Sequence, residues 1–157
     1  MNTSKVNQEK LQGLLDKAIQ IASSAHENQM DKAGEPYILH PLRLMMQFQD
    51  ENERITAVLH DVVEDSDVTI DQLSRQGFNE EIIDALERLT KKNGESYGNF
   101  IDRITSCSLA RKIKIADIED NLNITRLTKL SQTDLERIEK YHNALNTLKF
   151  SAFASER

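Results

Sequence analysis

The residues best suited to chemistry lie in the stretch ITAVLHDVVEDSD, which carries His60, Asp61, Glu64 and Asp65 within two helical turns. At 100° per residue, Ile55, Val58, Leu59, Val62 and Val63 share one side of a helix, and the four polar residues share the other. A solvated face normally mixes in Lys or Arg for local pairing. Here no basic residue stands three or four positions away. Three carboxylates and one imidazole therefore crowd together and repel one another unless a cation sits beside them, which points to a metal ion. Glu64 and Asp65, one turn beyond the first pair, are placed to move protons: one to activate a water, the other to protonate a leaving oxygen. Their bland alternative is simple solvation.

A metal site needs further ligands, and two candidates supply them. His40 precedes Pro41, which biases it to extended backbone at the mouth of a helix, with its side chain free to project onto a neighbour. Alone, it would read as a surface cap or a hydrogen-bonded histidine. Asp117 lies in a helix that is apolar on most sides, where an unpaired carboxylate is costly. The alternative for Asp117 is an ion pair with Lys114, and Asp120, one turn on, adds like charge. His40, His60, Asp61 and Asp117 together form a mixed nitrogen and oxygen set. Such a set suits Mn²⁺, Fe²⁺, Co²⁺ or Zn²⁺ better than a dedicated Mg²⁺ or Ca²⁺ cage. A six-coordinate ion held this way keeps open positions for water and a phosphate oxygen.

The elements that position these residues read as helices. Among 157 residues there are only 5 Gly and 2 Pro, with 38% hydrophobic and 29% charged residues, a composition that favours helices over a many-turned β fold. The expected fold is all-α: a single compact multi-helix domain over residues 1–157. A first helix is expected from Lys5 to Met30, with Leu11, Leu14, Leu15, Ala18, Ile19, Ala22 and Ala25 on one face. Gly34 and Pro36 break the pattern, and Pro41 opens the next helix. A third helix is expected over Glu51 to Asp65, then a short turn region ending at Gly77. Asn79 caps a helix that runs to Asn93-Gly94. SYGNFIDRITS and LARKIKIADIEDNL follow, and Thr133 with Glu136 has capping-box spacing at the head of a last helix reaching Phe150. No stretch reads as a strand. His26 falls on the apolar face of the first helix and reads as a packed core histidine. His142 is assigned no function, and Cys107 reads as a small packing residue.

Composition also sets limits. Cys107 is the sole cysteine, which excludes an intrachain disulfide and suits a reducing, cytoplasmic setting. The N-terminus lacks the order of a signal peptide, and no apolar run approaches spanning length, so no membrane partner is expected. A net charge of −6 argues against broad nucleic-acid binding. An anionic substrate would then need local positive charge, which a metal supplies.

Taken in order, AHENQMDKAGEPYILHPLRL, AVLHDVVEDSDVT and KIKIADIEDNLN resemble the hydrolase domain of RelA/SpoT-type alarmone enzymes over residues 15 to 127. The C-terminal ERIEKYHNAL is more similar to the short stand-alone hydrolases. The resemblance implies an HD-type helical domain that binds Mn²⁺ and removes the 3′-pyrophosphate of a small-molecule nucleotide, ppGpp or pppGpp. It places the metal on His40, His60, Asp61 and Asp117 and the catalytic acidic pair on Glu64 and Asp65. It also carries over two substrate contacts, Lys32 and Asn121.

Other positions depart from that pattern. Asp31 stands where an arginine is usual, Ala33 where a serine is usual, and Ile124 where a threonine follows. The usual D-R-L-H-N is Asp117-Ile118-Glu119-Asp120-Asn121. These differences spare the metal ligands and fall on substrate contacts, with Asp31 expected to alter substrate preference. Two further readings stay open: an HD phosphohydrolase for another nucleotide or dinucleotide phosphate, and a noncatalytic helical sensor that keeps a metal. The intact Glu64 and Asp65 speak against the last.

Overall fold

The computed structural model describes residues 3–154, with side chains for residues 13–151. Within them the chain forms nine α-helices: α1 (Thr3–Ala25), α2 (Leu39–Met45), α3 (Glu51–Leu59), α4 (Val62–Asp65), α5 (Ile70–Arg75), α6 (Glu80–Leu89), α7 (Tyr97–Thr105), α8 (Ser108–Asn121) and α9 (Gln132–Ala154). A single 3₁₀ turn, Ile124–Arg126, links α8 to α9. The expected all-α class holds: among the described residues the β-type pairing is one isolated bridge, Met30 to Pro36. No described helix is long and apolar enough to cross a membrane.

The core has two lobes that share α3 and α6. One gathers Leu44, Ala57, Ala85, Leu89, Phe100, Ile104, Ile113 and Leu148. The other gathers Ala18, Ala22, Ile55, Val58, Leu59, Val62, Leu73, Ile82 and Leu86. Residues 55–60 are all buried, so α3 is a central rod covered on every side by α1, α2, α6 and α8. The apolar face expected for α1 is found wherever its side chains are described: Ala18 and Ala22 are fully buried, Leu14, Leu15, Ile19 and Ala25 pack against that lobe, and Leu11 lies outside the described side chains.

Several boundaries differ from the sequence reading, each for a local reason. α1 stops at Ala25, not Met30. Asn28 turns left-handed at φ 63°, and the Gln29 side-chain amide donates to the Ala25 carbonyl at 3.2 Å, satisfying an orphan acceptor at the helix end. α2 begins before Pro41, so His40 is helical rather than extended; Pro41 occupies the first turn, where its missing N–H costs nothing. The expected third helix is broken at His60-Asp61, where Asp61 takes φ −105° and ψ −2°, a sparsely populated region common in active sites. α6 ends at Leu89, with Thr90 extended. The head of α9 is capped by Ser131, not Thr133: Ser131 Oγ accepts from the Asp134 N–H at 3.2 Å, and Asp134 Oδ2 accepts from the Ser131 N–H at 2.9 Å. Cys107 does more than pack, since its Sγ caps α8 by accepting from the Ala110 N–H at 3.5 Å.

The cap at Asn79 is as expected. Its Oδ1 accepts from the Ile82 N–H at 3.0 Å, and its Nδ2 donates to Asn52 Oδ1 at 3.0 Å, tying α6 to α3. Asn79→Ala is expected to lower the unfolding free energy by about 1 kcal/mol, read from urea denaturation. An unchanged midpoint would mean that the cap contributes nothing to α6.

Candidate functional site

Four elements bring the predicted ligands together. His40 comes from α2, His60 from the end of α3, Asp61 from the break before α4, and Asp117 from the middle of α8. The break at His60-Asp61 matters because adjacent residues on a continuous helix diverge by about 100°. Here both aim inward, and His60 Nε2 lies 2.9 Å from Asp61 Oδ2. One donor atom from each of the four residues lies within 4.8 Å of the others. His40 is 4% exposed, His60 2% and Asp117 5%.

The charges in this cluster are strongly coupled. His60 Nδ1 donates to the Ala57 carbonyl at 2.7 Å, so that nitrogen carries the proton and Nε2 faces Asp61 and Asp117. Burial works to lower the His60 pKa, but the Asp61 and Asp117 charges outweigh it and raise it well above the ordinary imidazole range. His40 is likewise raised, with burial opposed by hydrogen bonds to Asp117 and Asp120. Burial pushes Asp61 up, yet the His60 charge wins and draws it down to about 2.

His60 Nε2 is buried without a partner in hydrogen-bond geometry, despite the nearby Asp61 oxygen. A cation is therefore called for at Nε2: a proton in the metal-free protein, as the raised His60 pKa requires, or a shared metal ion in its place. Metal–ligand bonds of about 2.0–2.2 Å span twice that length across one centre, which fits the observed spread of donors. The set fits a divalent metal ion.

The structure also brings in residues that the sequence reading weighed otherwise or missed. Lys114 Nζ donates to Asp117 Oδ2 at 2.8 Å, so Asp117 has the lysine pair as well as Oδ1 directed at the histidines, 3.0 Å from His40 Nε2. The pairing with Lys114 and the place in the cluster are not alternatives. Burial alone would lower the Lys114 ammonium, and the Asp117 carboxylate raises it above its ordinary value. Asp120 does not add uncompensated charge, because Arg43 Nε and Nη2 bind its carboxylate at 3.0 and 2.9 Å. Tyr37, the tyrosine of GEPY, donates its hydroxyl to Asp61 and sits between the His26 and His40 rings at 4.9 and 5.6 Å. His26 is the buried packing histidine expected, with Nδ1 2.9 Å from Gln29 Oε1.

Outside the cluster, Glu64 and Asp65 are exposed and border the same cavity. The Lys91 N–H donates to Glu64 Oε1. Burial, then the neighbouring Asp61 charge, raises the Asp65 carboxyl above its ordinary range. Asn121 borders the cavity too, but its Nδ2 donates to Asp117 Oδ1 at 2.7 Å and to the Asp117 carbonyl at 3.0 Å. Lys32 is largely exposed and lies 3.9 Å from Asp134. Asp31 closes its own loop: Oδ1 accepts from the Ala33 and Glu35 N–H groups at 2.8 and 2.9 Å, and Gly34 supplies the φ of 84° that the turn requires. The departure at Asp31 therefore has a loop-building role.

The cavity holds about 570 Å³. Lys91, Arg137, Lys140, Tyr97 and Tyr141 also line it. Lys140 lies 4.7 Å from the Tyr97 ring centre and 5.2 Å from that of Tyr141. Its pKa is lowered by burial and by the cations Lys114, Lys91 and Arg137. Arg137 pairs with Asp134 at 3.1 Å, and its Nη1 is buried without a partner. Sequence reasoning missed these lining residues. The available signal was the spacing of Arg137, Lys140 and Tyr141, which share one helix face. His142, on the other side, is exposed.

Fold and site together describe a helical domain with a histidine–aspartate cluster that could hold a metal ion and opens on a cavity lined in part by basic residues. No family model matches the chain. The chain is 29% identical over 120 residues to the guanosine-3′,5′-bis(diphosphate) 3′-pyrophosphohydrolase of Aquifex aeolicus, covering 69% of this chain and 17% of the relative. Identity is 38% over 79 residues to the same-named protein of Borreliella burgdorferi, covering 48% and 12%. It is 38% over 77 residues for that of Vibrio cholerae, covering 45% and 11%. The chain thus spans less than a fifth of the length of these relatives. A solved structure of a metazoan ortholog of SpoT, described as hydrolysing ppGpp, matches with a TM-score of 0.69 at 22% identity. It covers 88% of this chain and 90% of that one, so the two share a fold. The resemblance to RelA/SpoT-type hydrolase domains read from the motifs is borne out.

Removing Asp117 should expose the cost of its buried partner. In the metal-free protein, Asp117→Ala is expected to lower the unfolding free energy by about 3–5 kcal/mol, because Lys114 is left buried and unpaired. Adding Lys114→Met should restore most of that loss in urea denaturation. A single variant as stable as the wild type would contradict the coupling.

Proposed function

We propose that the domain is a Mn²⁺-dependent phosphohydrolase that removes the 3′-pyrophosphate of a guanosine alarmone, ppGpp or pppGpp. The observation that carries this reading is the four-residue His/Asp cluster opening on a cavity that is also lined by the acidic pair Glu64 and Asp65, by basic residues and by tyrosines. The names of the similar bacterial proteins supply the substrate class. A reducing, cytoplasmic setting suits the single free thiol of Cys107.

In this reading His40, His60, Asp61 and Asp117 hold the ion, which supplies Lewis-acid chemistry at the phosphoryl group when bound. Glu64, steadied by the Lys91 N–H, accepts the proton of the attacking water. Asp65, whose carboxyl is raised by burial and by Asp61, passes a proton to the leaving oxygen. Lys32 reaches the phosphates from its exposed loop. Asn121 turns between Asp117 and the nucleotide. Arg137, Lys140 and Lys91 bind phosphate charge, and Tyr97 and Tyr141 offer faces for the base.

Glu64→Gln tests the reading most simply. The variant should retain Mn²⁺ and fold while losing about 10²–10⁴-fold in turnover, since an amide cannot take the proton. The assay follows orthophosphate and pyrophosphate separately for a panel of nucleotides with the Mn²⁺-loaded protein. Pyrophosphate release from ppGpp is expected. Orthophosphate release from another nucleotide would redirect the substrate assignment, and near wild-type turnover in Glu64→Gln would return Glu64 to the solvated surface.

A further inference from the structure

The two imidazoles of the cluster are held from behind by different acceptors. His60 Nδ1 donates to a neutral group, the Ala57 carbonyl, at 2.7 Å. His40 Nδ1 lies 2.6 Å from Asp120 Oδ2, a carboxylate. Asp120 stands three residues after Asp117 on α8, so one helix presents one carboxylate to the Nε2 side of His40 and another to the Nδ1 side. His40 Nε2 then faces the cluster, 3.0 Å from Asp117 Oδ1.

Asp120 is itself fixed. Arg43, one turn after His40 on α2, binds both carboxylate oxygens through Nε and Nη2 at 3.0 and 2.9 Å. Arg126, from the 3₁₀ turn after α8, reaches Oδ2 at 3.3 Å and also donates to the Asp120 carbonyl. The side chain is only 10% exposed. Two guanidinium groups thus neutralise one carboxylate and leave it a single orientation, with one oxygen aimed at the imidazole. A forked Arg–carboxylate contact fixes geometry as well as charge. The clamp also joins α2, α8 and the 3₁₀ turn at the point where the ligand is presented.

We infer that Asp120 is a positioning residue for His40, and that the Arg43–Asp120–Arg126 clamp sets the ring orientation and donor strength of that ligand toward the metal. The inference rests on the metal reading of the cluster and adds to it a residue that touches neither ion nor substrate. A charged acceptor behind an imidazole fixes which nitrogen carries the proton and makes the other a stronger donor. Loss of such a partner typically weakens metal binding 10–100-fold. Asp120 has no route to the ion itself, because its oxygens are engaged by His40 and the two arginines.

The test uses the full chain, metal-free and then titrated with Mn²⁺, and has two readouts. The first is the His40 ring N–H proton resonance in the metal-free protein, which a short bond to Asp120 should shift downfield and protect from exchange. The second is the Mn²⁺ dissociation constant, followed by the electron paramagnetic resonance of the free ion. Asp120→Ala is expected to lose the resonance and raise the dissociation constant 10–100-fold, with one site still filled at saturation. Asp120→Asn keeps an acceptor of the same size, so it should keep the resonance and lose less affinity; it also serves if the alanine variant fails to fold. Wild-type affinity and an unchanged resonance in Asp120→Ala would overturn the proposal alone. A wild-type protein that shows the resonance but binds no Mn²⁺ would overturn the metal reading, and this role of Asp120 with it.

Discussion

The interaction on which the rest depends is the mutual exposure of Asp61 and Asp117 to each other and to two buried imidazoles. Their donor atoms fall within 4.8 Å, in surroundings where little water screens them. Charges this close in a poorly screened site interact by several kcal/mol, so the fold must answer them. Lys114 takes one oxygen of Asp117, Tyr37 donates to Asp61, and Asn121 donates to Asp117. One nitrogen of His60 remains without a hydrogen-bond partner. That residual demand is what a divalent ion would meet.

The helical frame can be understood from this demand. α3 is buried from Ile55 to Leu59 and ends where the site begins. The break after Leu59 lets His60 and Asp61 point the same way while α4 carries Glu64 and Asp65 on to the cavity edge. α8 is apolar enough to cross the core, with Ile113, Ala116 and Ile118 buried. It therefore delivers Asp117 to the interior, where a surface helix could not. α9 closes the far side and lends its basic and aromatic face to the cavity.

Much of this was legible in the residues themselves. The lack of basic partners around His60 to Asp65, and a carboxylate within an apolar helix at Asp117, both express unanswered charge, and the structure brings these residues together with His40. The all-α class followed from the scarcity of breakers, and the Asn79 cap from ordinary capping chemistry. What failed to show was anything set by tertiary contact. The break at His60-Asp61 has no Gly or Pro to mark it. His40 reads as extended before a proline, yet packing draws it into the first turn of α2. The clamp on Asp120 joins residues 77 and 80 positions apart, beyond any local pattern. Arg137, Lys140 and Tyr141 share a helix face that periodicity could reveal, though not which cavity it would line.

On the proposed reading, a single divalent ion sits among His40, His60, Asp61 and Asp117. Crystals of the protein grown with Mn²⁺ and measured near the manganese absorption edge test it directly. The account predicts one strong anomalous peak bonded to all four side chains at about 2.0–2.3 Å. A peak bound elsewhere, or none among these residues at saturating Mn²⁺, would contradict it.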